Sequence, residues 1–307
     1  MVDFNELRSV VRGRVVLDVP MNQYTSMRVG GTCACMFTPA DTDDILKFIA
    51  WSKDTGQRYF VMGSGTNLIV REGGVRYPVI RIKHTLDSME IESEDKGAVR
   101  LRAGAGMPVA ELVRYCADRG LSGTELLAGI PGTVGGAVFM NAGTGEGSVA
   151  DVVEAVTFIE RSGRTKTYGR DEMGFGYRTC RALSASSIVV SAVLALRSAD
   201  ATKVQKKVET VLKVKAQTQP LNKPSCGSIF KNPASGVKAW KLLEEAGMRG
   251  VRVRGAMYSE LHTNFIVNTG SAAAGDVLAL INAGIEKVRE KSGVRLELEA
   301  VIIGDES

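Results

Sequence analysis

Ala128-Gly129-Ile130-Pro131-Gly132-Thr133-Val134-Gly135-Gly136-Ala137-Val138-Phe139-Met140-Asn141-Ala142-Gly143 sets five glycines and a proline in sixteen residues. A turn between strands uses one or two such residues, to reach a positive φ or to preset φ. A run this dense reads as an extended backbone surface, with side chains removed so that something can approach the main chain. A second block lies upstream, Gly63-Ser64-Gly65-Thr66-Asn67-Leu68-Ile69-Val70. Its glycines fit a dinucleotide turn, but Leu68-Ile69-Val70 continues it as a strand where a helix would have to open toward a pyrophosphate. A nest of consecutive backbone N–H groups can hold phosphate without that helix. An ordinary tight turn uses the same residues, so the reading rests on the two blocks together.

Outward from these blocks, strand and helix signals alternate. Residues 41–51 read as a helix, with Thr42, Asp43 and Asp44 as cap and first-turn acids and Ile45, Leu46, Phe48 and Ile49 on one stripe. Residues 58–62 read as a strand, and 77–103 alternate apolar and polar residues as antiparallel strands do. Residues 108–119 form an amphipathic helix with Val109, Leu112, Val113 and Cys116 on one face. After the long glycine block, 152–160, 164–168 and 188–196 read as strands. Residues 200–215 read as a lysine-rich helix, and the change of composition there sets a domain boundary between 200 and 201. Helices over 239–246 and 274–291 and strands over 264–268 and 295–303 complete the chain.

Composition narrows the class. Of 307 residues, 44% are hydrophobic and 24% charged, near the averages for globular proteins, which argues against disordered, fibrous and membrane-embedded chains. A net charge of +5 spread over this length is too dilute for a nucleic-acid footprint and suits an anionic small ligand. Residues 1–12 carry Asp3 and Glu6 and no apolar signal core, and no stretch is apolar for the ~18 residues that a membrane span requires. The expectation is a cytoplasmic protein with neither nucleic acid nor membrane as partner. Five cysteines without a CxxC pair, beside only His84 and His262, predict neither a disulfide framework nor a metal site.

Seven stretches, in order along nearly the whole chain, together resemble one family. They are Thr25–Gly31 (TSMRVGG), Gly63–Val70 (GSGTNLIV), Gly129–Gly143 (GIPGTVGGAVFMNAG), Gly176-Tyr177-Arg178, Ser225–Pro233 (SCGSIFKNP), His262–Asn268 (HTNFIVN) and Leu296–Glu299. The chain resembles the UDP-N-acetylenolpyruvoylglucosamine reductases, or UDP-N-acetylmuramate dehydrogenases, flavoenzymes of bacterial cell-wall synthesis. The resemblance implies an α+β chain: an FAD-binding fold of the vanillyl-alcohol-oxidase type over residues 1–200, in two α/β subdomains of roughly 1–80 and 81–200, then a C-terminal α/β substrate-binding domain over 201–307. It implies FAD held without a covalent link by Gly63, Ser64, Gly65, Thr66, Asn67 and Leu68 of the first block. From the second block Gly129, Ile130, Gly132, Thr133, Gly136, Asn141, Ala142 and Gly143 would join them. NADPH is then the reductant and UDP-N-acetylglucosamine enolpyruvate the substrate of a monomeric enzyme.

In the implied reaction, hydride passes from NADPH to FAD and on to the methylene carbon of the enolpyruvyl ether. Charge then develops beside the substrate carboxylate and must be held by fixed cations or donors, while the adjacent carbon takes a proton. Arg178 matches the family's catalytic arginine, and its planar fork suits a carboxylate gaining charge. Ser228 matches the proton donor. Glu299 matches the second acid of a Leu-Glu-Pro-Glu run, written here Leu296-Glu297-Leu298-Glu299 with leucine in place of the usual proline. Strand alternation would place Glu297 and Glu299 on one face, so spacing does not choose between them; the resemblance picks Glu299. Tyr177, Lys231 and Asn232 match substrate-binding positions, with Lys215 and Lys241 as weaker candidates, and His262 reads as a core histidine. Residues 179–218 contain no tyrosine, so the chain resembles the branch of the family without a tyrosine loop over the substrate. Two rivals are a flavin oxidase of the same fold and a nucleotide-sugar binding module that keeps the glycine blocks without chemistry.

Overall fold

The computed structural model describes residues 4–234 and 236–306, and its largest sheet grows from the alternation read between residues 89 and 198. There Thr165–Gly169, Val153–Ile159, Ile188–Ser198, Ala98–Gly104 and Met89–Asp95 lie side by side in that order, each antiparallel to its neighbour, and Leu121–Ser122 pairs with the end of Ile188–Ser198. The central strand Ile188–Ser198 is buried along most of its length because it carries apolar residues on both faces. Helix Val109–Asp118 buries the predicted face, Val109, Leu112, Val113 and Cys116, in the same core. Helix Thr42–Asp54 starts where Asp41 caps it by accepting from the Asp44 N–H.

This sheet belongs to one of two compact units. The first takes the described residues up to Leu17, Cys35–Ser64 and Tyr77–Val214; the second takes Asp18–Ala34, Gly65–Arg76 and everything from Lys215 on. The bodies therefore do not follow a cut between 200 and 201. Two early segments join the second unit because each has partners there: Leu68–Val70 pairs in parallel with Val301–Ile303, and Asn268 Nδ2 donates to Met27 O at 3.1 Å. The second unit holds a four-stranded antiparallel sheet, Ser225–Ser228, Phe265–Asn268, Ala256–Tyr258 and Arg252–Val253. Helix Ala274–Ser292 closes its core, approaching so tightly that a Cβ on Gly284 would lie 2.2 Å from Tyr258 Oη.

Three local expectations change. Val75–Arg81 runs parallel to one neighbour, Phe60–Met62, with residues 63–74 as the crossover that parallel pairing requires. The long glycine block is not extended throughout, since Val134–Phe139 is helical and Thr133 caps it by accepting from Gly136 N at 3.3 Å. The last strand covers only Val301–Ile303. Before it, Glu299 N and Ala300 N both reach Ile229 O, and two donors on one carbonyl interrupt a regular ladder.

Candidate functional site

In the first unit Gly63, which opens the first glycine block, meets the second block. A Cβ on Gly63 would fall 2.3 Å from Thr133 Oγ1, so glycine is what lets the first block close on the cap of the second. The end of the long block is laced to the Gly176-Tyr177-Arg178 segment. Asn141, buried, donates from Nδ2 to Gly176 O at 2.9 Å and accepts from Ala150 N at 3.0 Å, while Arg178 Nη2 donates to Gly143 O at 2.8 Å. Tyr177 and Arg178 form the tip of a hairpin between Phe175–Gly176 and Thr179–Cys180, and the guanidinium lies 5.1 Å from the Tyr177 ring centre. Asn141 (φ 40°) and Arg178 (φ 55°) both sit in the left-handed region that side chains usually avoid. Strain of that kind persists where its surroundings over-determine it, and it collects at functional sites.

In the second unit the chain brings Ser228, Glu299 and Asn67 into one neighbourhood. Ser228 ends its strand, and the next residue, Ile229, accepts from Glu299 N at 2.8 Å. Asn67 Nδ2 donates to Glu299 O at 3.0 Å, and Asn67 O accepts from Val301 N. The backbone of the acid is thus held from two sides. Glu299 is half-buried and Glu297 exposed, so the two carboxylates that alternation alone had put on one face differ in burial. Lys231, half-buried, is tied through its N–H to Glu297 O. Asn232 Oδ1 accepts from Ala239 N at 3.0 Å, which commits that oxygen to the start of helix Ala239–Glu245.

The other singled-out groups are quieter. His262 Nδ1 accepts from Asn264 N and its ring stands edge-on to Phe265, 4.9 Å between centres; burial first, and Arg249 as well, hold its pKa below the usual value. Burial pushes the Cys226 thiol up to about 12, and all five cysteines are buried with none in a disulfide. Such a thiol is a poor nucleophile. Lys215 is half-buried, and burial lowers its amine to about 8. Among the described residues no cluster of three or more His, Cys, Asp or Glu could hold a metal, and no helix is long and apolar enough to cross a membrane. One residue escaped the sequence reading: Asn264, a buried amide within the apolar run Phe265-Ile266-Val267 and its approach, whose only signal was polarity in an otherwise core-like stretch.

Comparison with known proteins decides the family. The model of the UDP-N-acetylenolpyruvoylglucosamine reductase C-terminal domain matches residues 219–303, and that of an FAD binding domain matches 33–169. A UDP-N-acetylenolpyruvoylglucosamine reductase of Geobacter metallireducens is 43% identical over 303 residues, 99% of this chain and 98% of its own. The chain belongs to the UDP-N-acetylenolpyruvoylglucosamine reductase family. The crystal structure of the reductase from Thermus caldophilus superimposes with a TM-score of 0.79 at 36% identity, covering 95% of this chain and 98% of that one. A Physcomitrella patens BBE-like 1 variant shares the fold alone, at 12% identity with a TM-score of 0.50 over 93% of this chain and 60% of its own. The protein is therefore an oxidoreductase of peptidoglycan precursor synthesis, with an FAD-binding domain and FAD as its cofactor.

The residues present fit such a cofactor. Gly136 is exposed in a helix, where glycine is destabilising, and a Cβ there would meet only Thr133 Oγ1, at an ordinary 3.5 Å. The fold itself does not demand glycine at 136, whereas a ligand lying on the backbone would. Gly129 and Gly132 add main chain at positive φ within the same block.

Proposed function

We propose that the protein reduces UDP-N-acetylglucosamine enolpyruvate to UDP-N-acetylmuramate with NADPH as reductant, using Arg178, Ser228 and Glu299. Bound FAD supplies the hydride that reaches the methylene carbon. As that C–H bond forms, the electron pair of the double bond moves toward the carbon beside the carboxylate. Arg178 stabilises the resulting charge with fixed donors, in a conformation already held by the Gly143 carbonyl. Glu299, hydrogen-bonded beside the substrate carboxylate, offsets the same charge. Ser228 Oγ gives its proton to the carbon and takes one back from solvent. Tyr177, Lys231 and Asn232 bind the nucleotide sugar. The protein acts as a cytoplasmic monomer without nucleic-acid partners, in keeping with its evenly spread charge of +5.

The observation that carries the reading is the backbone tie between Ile229 and Glu299, which holds a proton donor and an acid in one neighbourhood. An anaerobic flavin titration tests it: NADPH bleaches the yellow enzyme and the enolpyruvyl nucleotide alone restores the colour. A binding module would show no such cycle.

Gly136 gives a second check. Gly136→Ala should raise the thermal midpoint of the flavin-free protein, by the ~1 kcal/mol that separates alanine from glycine in an exposed helix. It should weaken FAD binding at the same time. A variant with unchanged FAD affinity by fluorescence titration would remove Gly136 from the flavin contact.

A further inference from the structure

The Ser225–Ser228 strand pairs with Phe265–Asn268 out of step. Ser225 faces Val267 and Ser228 faces Phe265, one more residue on the first strand than on the second, with Gly227 at φ 79° inside the bulge. A bulge locally suspends the ladder that fixes where a side chain points. Here the control is restored by one amide. Asn264, 4% exposed, accepts from Phe230 N at Oδ1 (3.0 Å) and donates from Nδ2 to Phe230 O (2.8 Å), while its own carbonyl accepts from Ile229 N (2.9 Å). Ile229 O in turn accepts from Glu299 N and Ala300 N. A carboxamide is the side chain that offers a peptide both a donor and an acceptor, as a neighbouring strand would. Aspartate would set a second acceptor against the Phe230 carbonyl, and leucine would leave two buried backbone groups unpaired.

We propose that Asn264 is a positioning residue for the reduction of substrate: its amide grips both backbone groups of Phe230 while its own carbonyl accepts from Ile229 N, and together these bonds fix Ile229, whose carbonyl holds Glu299, and so set the spacing between Ser228 and Glu299. This rests on the roles assigned to those two residues. Asn264 need not touch substrate or flavin to act. Thr263 provides a neighbouring control, since it is fully buried and its Oγ1 donates to Trp240 O at 2.7 Å, a bond that leaves the Ser228 strand alone.

The test uses purified FAD-loaded enzyme and stopped-flow rates of the two half-reactions, with thermal midpoints recorded alongside. Asn264→Ala should slow substrate reduction by about the 10²-fold that a misplacement near 1 Å costs, with flavin reduction by NADPH within about twofold of normal. Thr263→Val, which also loses a buried hydrogen bond, should lower the midpoint and leave both rates near normal. Should Asn264→Ala not fold, Asn264→Asp, of nearly the same shape, should give a smaller loss confined to the same half-reaction. Combining Ser228→Ala with Asn264→Ala should cost much less than the product of the two separate losses, because one acts through the other. Equal slowing of both half-reactions, or losses that multiply, would overturn the proposal. Ser228→Ala at full rate would instead overturn the proton-donor role and with it this residue's link to Ser228, whereas a slow Ser228→Ala beside an unimpaired Asn264→Ala overturns the positioning role alone.

Discussion

Ser228→Ala is expected to leave reduction of the flavin by NADPH close to its normal rate and to slow reduction of the substrate by about the 10²- to 10⁴-fold that a positioned acid contributes. The substitution removes a hydroxyl proton but no cation. It leaves the surrounding backbone bonds in place, because Ile229 and Phe230 carry the hydrogen bonds to Asn264 and Ile229 carries those to Glu299 and Ala300. Ser228→Cys should recover part of the rate, since a thiol is the better acid even though it is a weaker hydrogen-bonding group. Stopped-flow traces of the separate half-reactions distinguish the outcomes. Slowed flavin reduction with normal substrate reduction would assign Ser228 to the nicotinamide and leave the proton donor to be found elsewhere.

Removing either charge-stabilising group should cost nearly as much. Arg178→Met and Glu299→Ala are each expected to lower turnover by roughly 10²- to 10³-fold, the loss typical of one fixed donor at developing charge. Arg178→Lys should recover little, because an ammonium cannot reproduce the planar fork. Glu297→Gln should be mild, as that carboxylate is exposed and only its backbone oxygen is engaged, by Lys231 N. Thermal midpoints of all four proteins check that the fold survives. A damaging Glu297→Gln beside a harmless Glu299→Ala would mean that the acid had been assigned to the wrong carboxylate.

The sequence made the regular parts legible because their burial is periodic. Helix Val109–Asp118 buries the four residues on its apolar stripe, and Leu68–Val70 stands where an apolar triplet after a glycine loop placed it. Short-range patterns failed where long-range partners decide. Nothing local in residues 75–81 says that their neighbour is the parallel strand Phe60–Met62, and alternation from 295 to 303 could not reveal that Ile229 O draws two successive N–H groups out of register. The helix inside the long glycine block was hidden for a related reason, since glycines have no side chains to show a 3.6-residue period and disfavour the helix they join. Which residues carry chemistry was legible through the resemblance, chiefly at Arg178, Ser228 and Glu299. How the last two are held was not, because Asn67 and Asn264 act on backbone atoms more than 30 residues away in sequence.

Passage of reducing equivalents from NADPH to an enolpyruvyl nucleotide sugar is read from flavin absorbance in the strict absence of oxygen. NADPH should bleach the purified yellow protein, and an equimolar addition of UDP-N-acetylglucosamine enolpyruvate should then restore the oxidised spectrum. A spectrum that stays bleached in the presence of that compound and recovers only when air is admitted would contradict the claim and describe an oxidase.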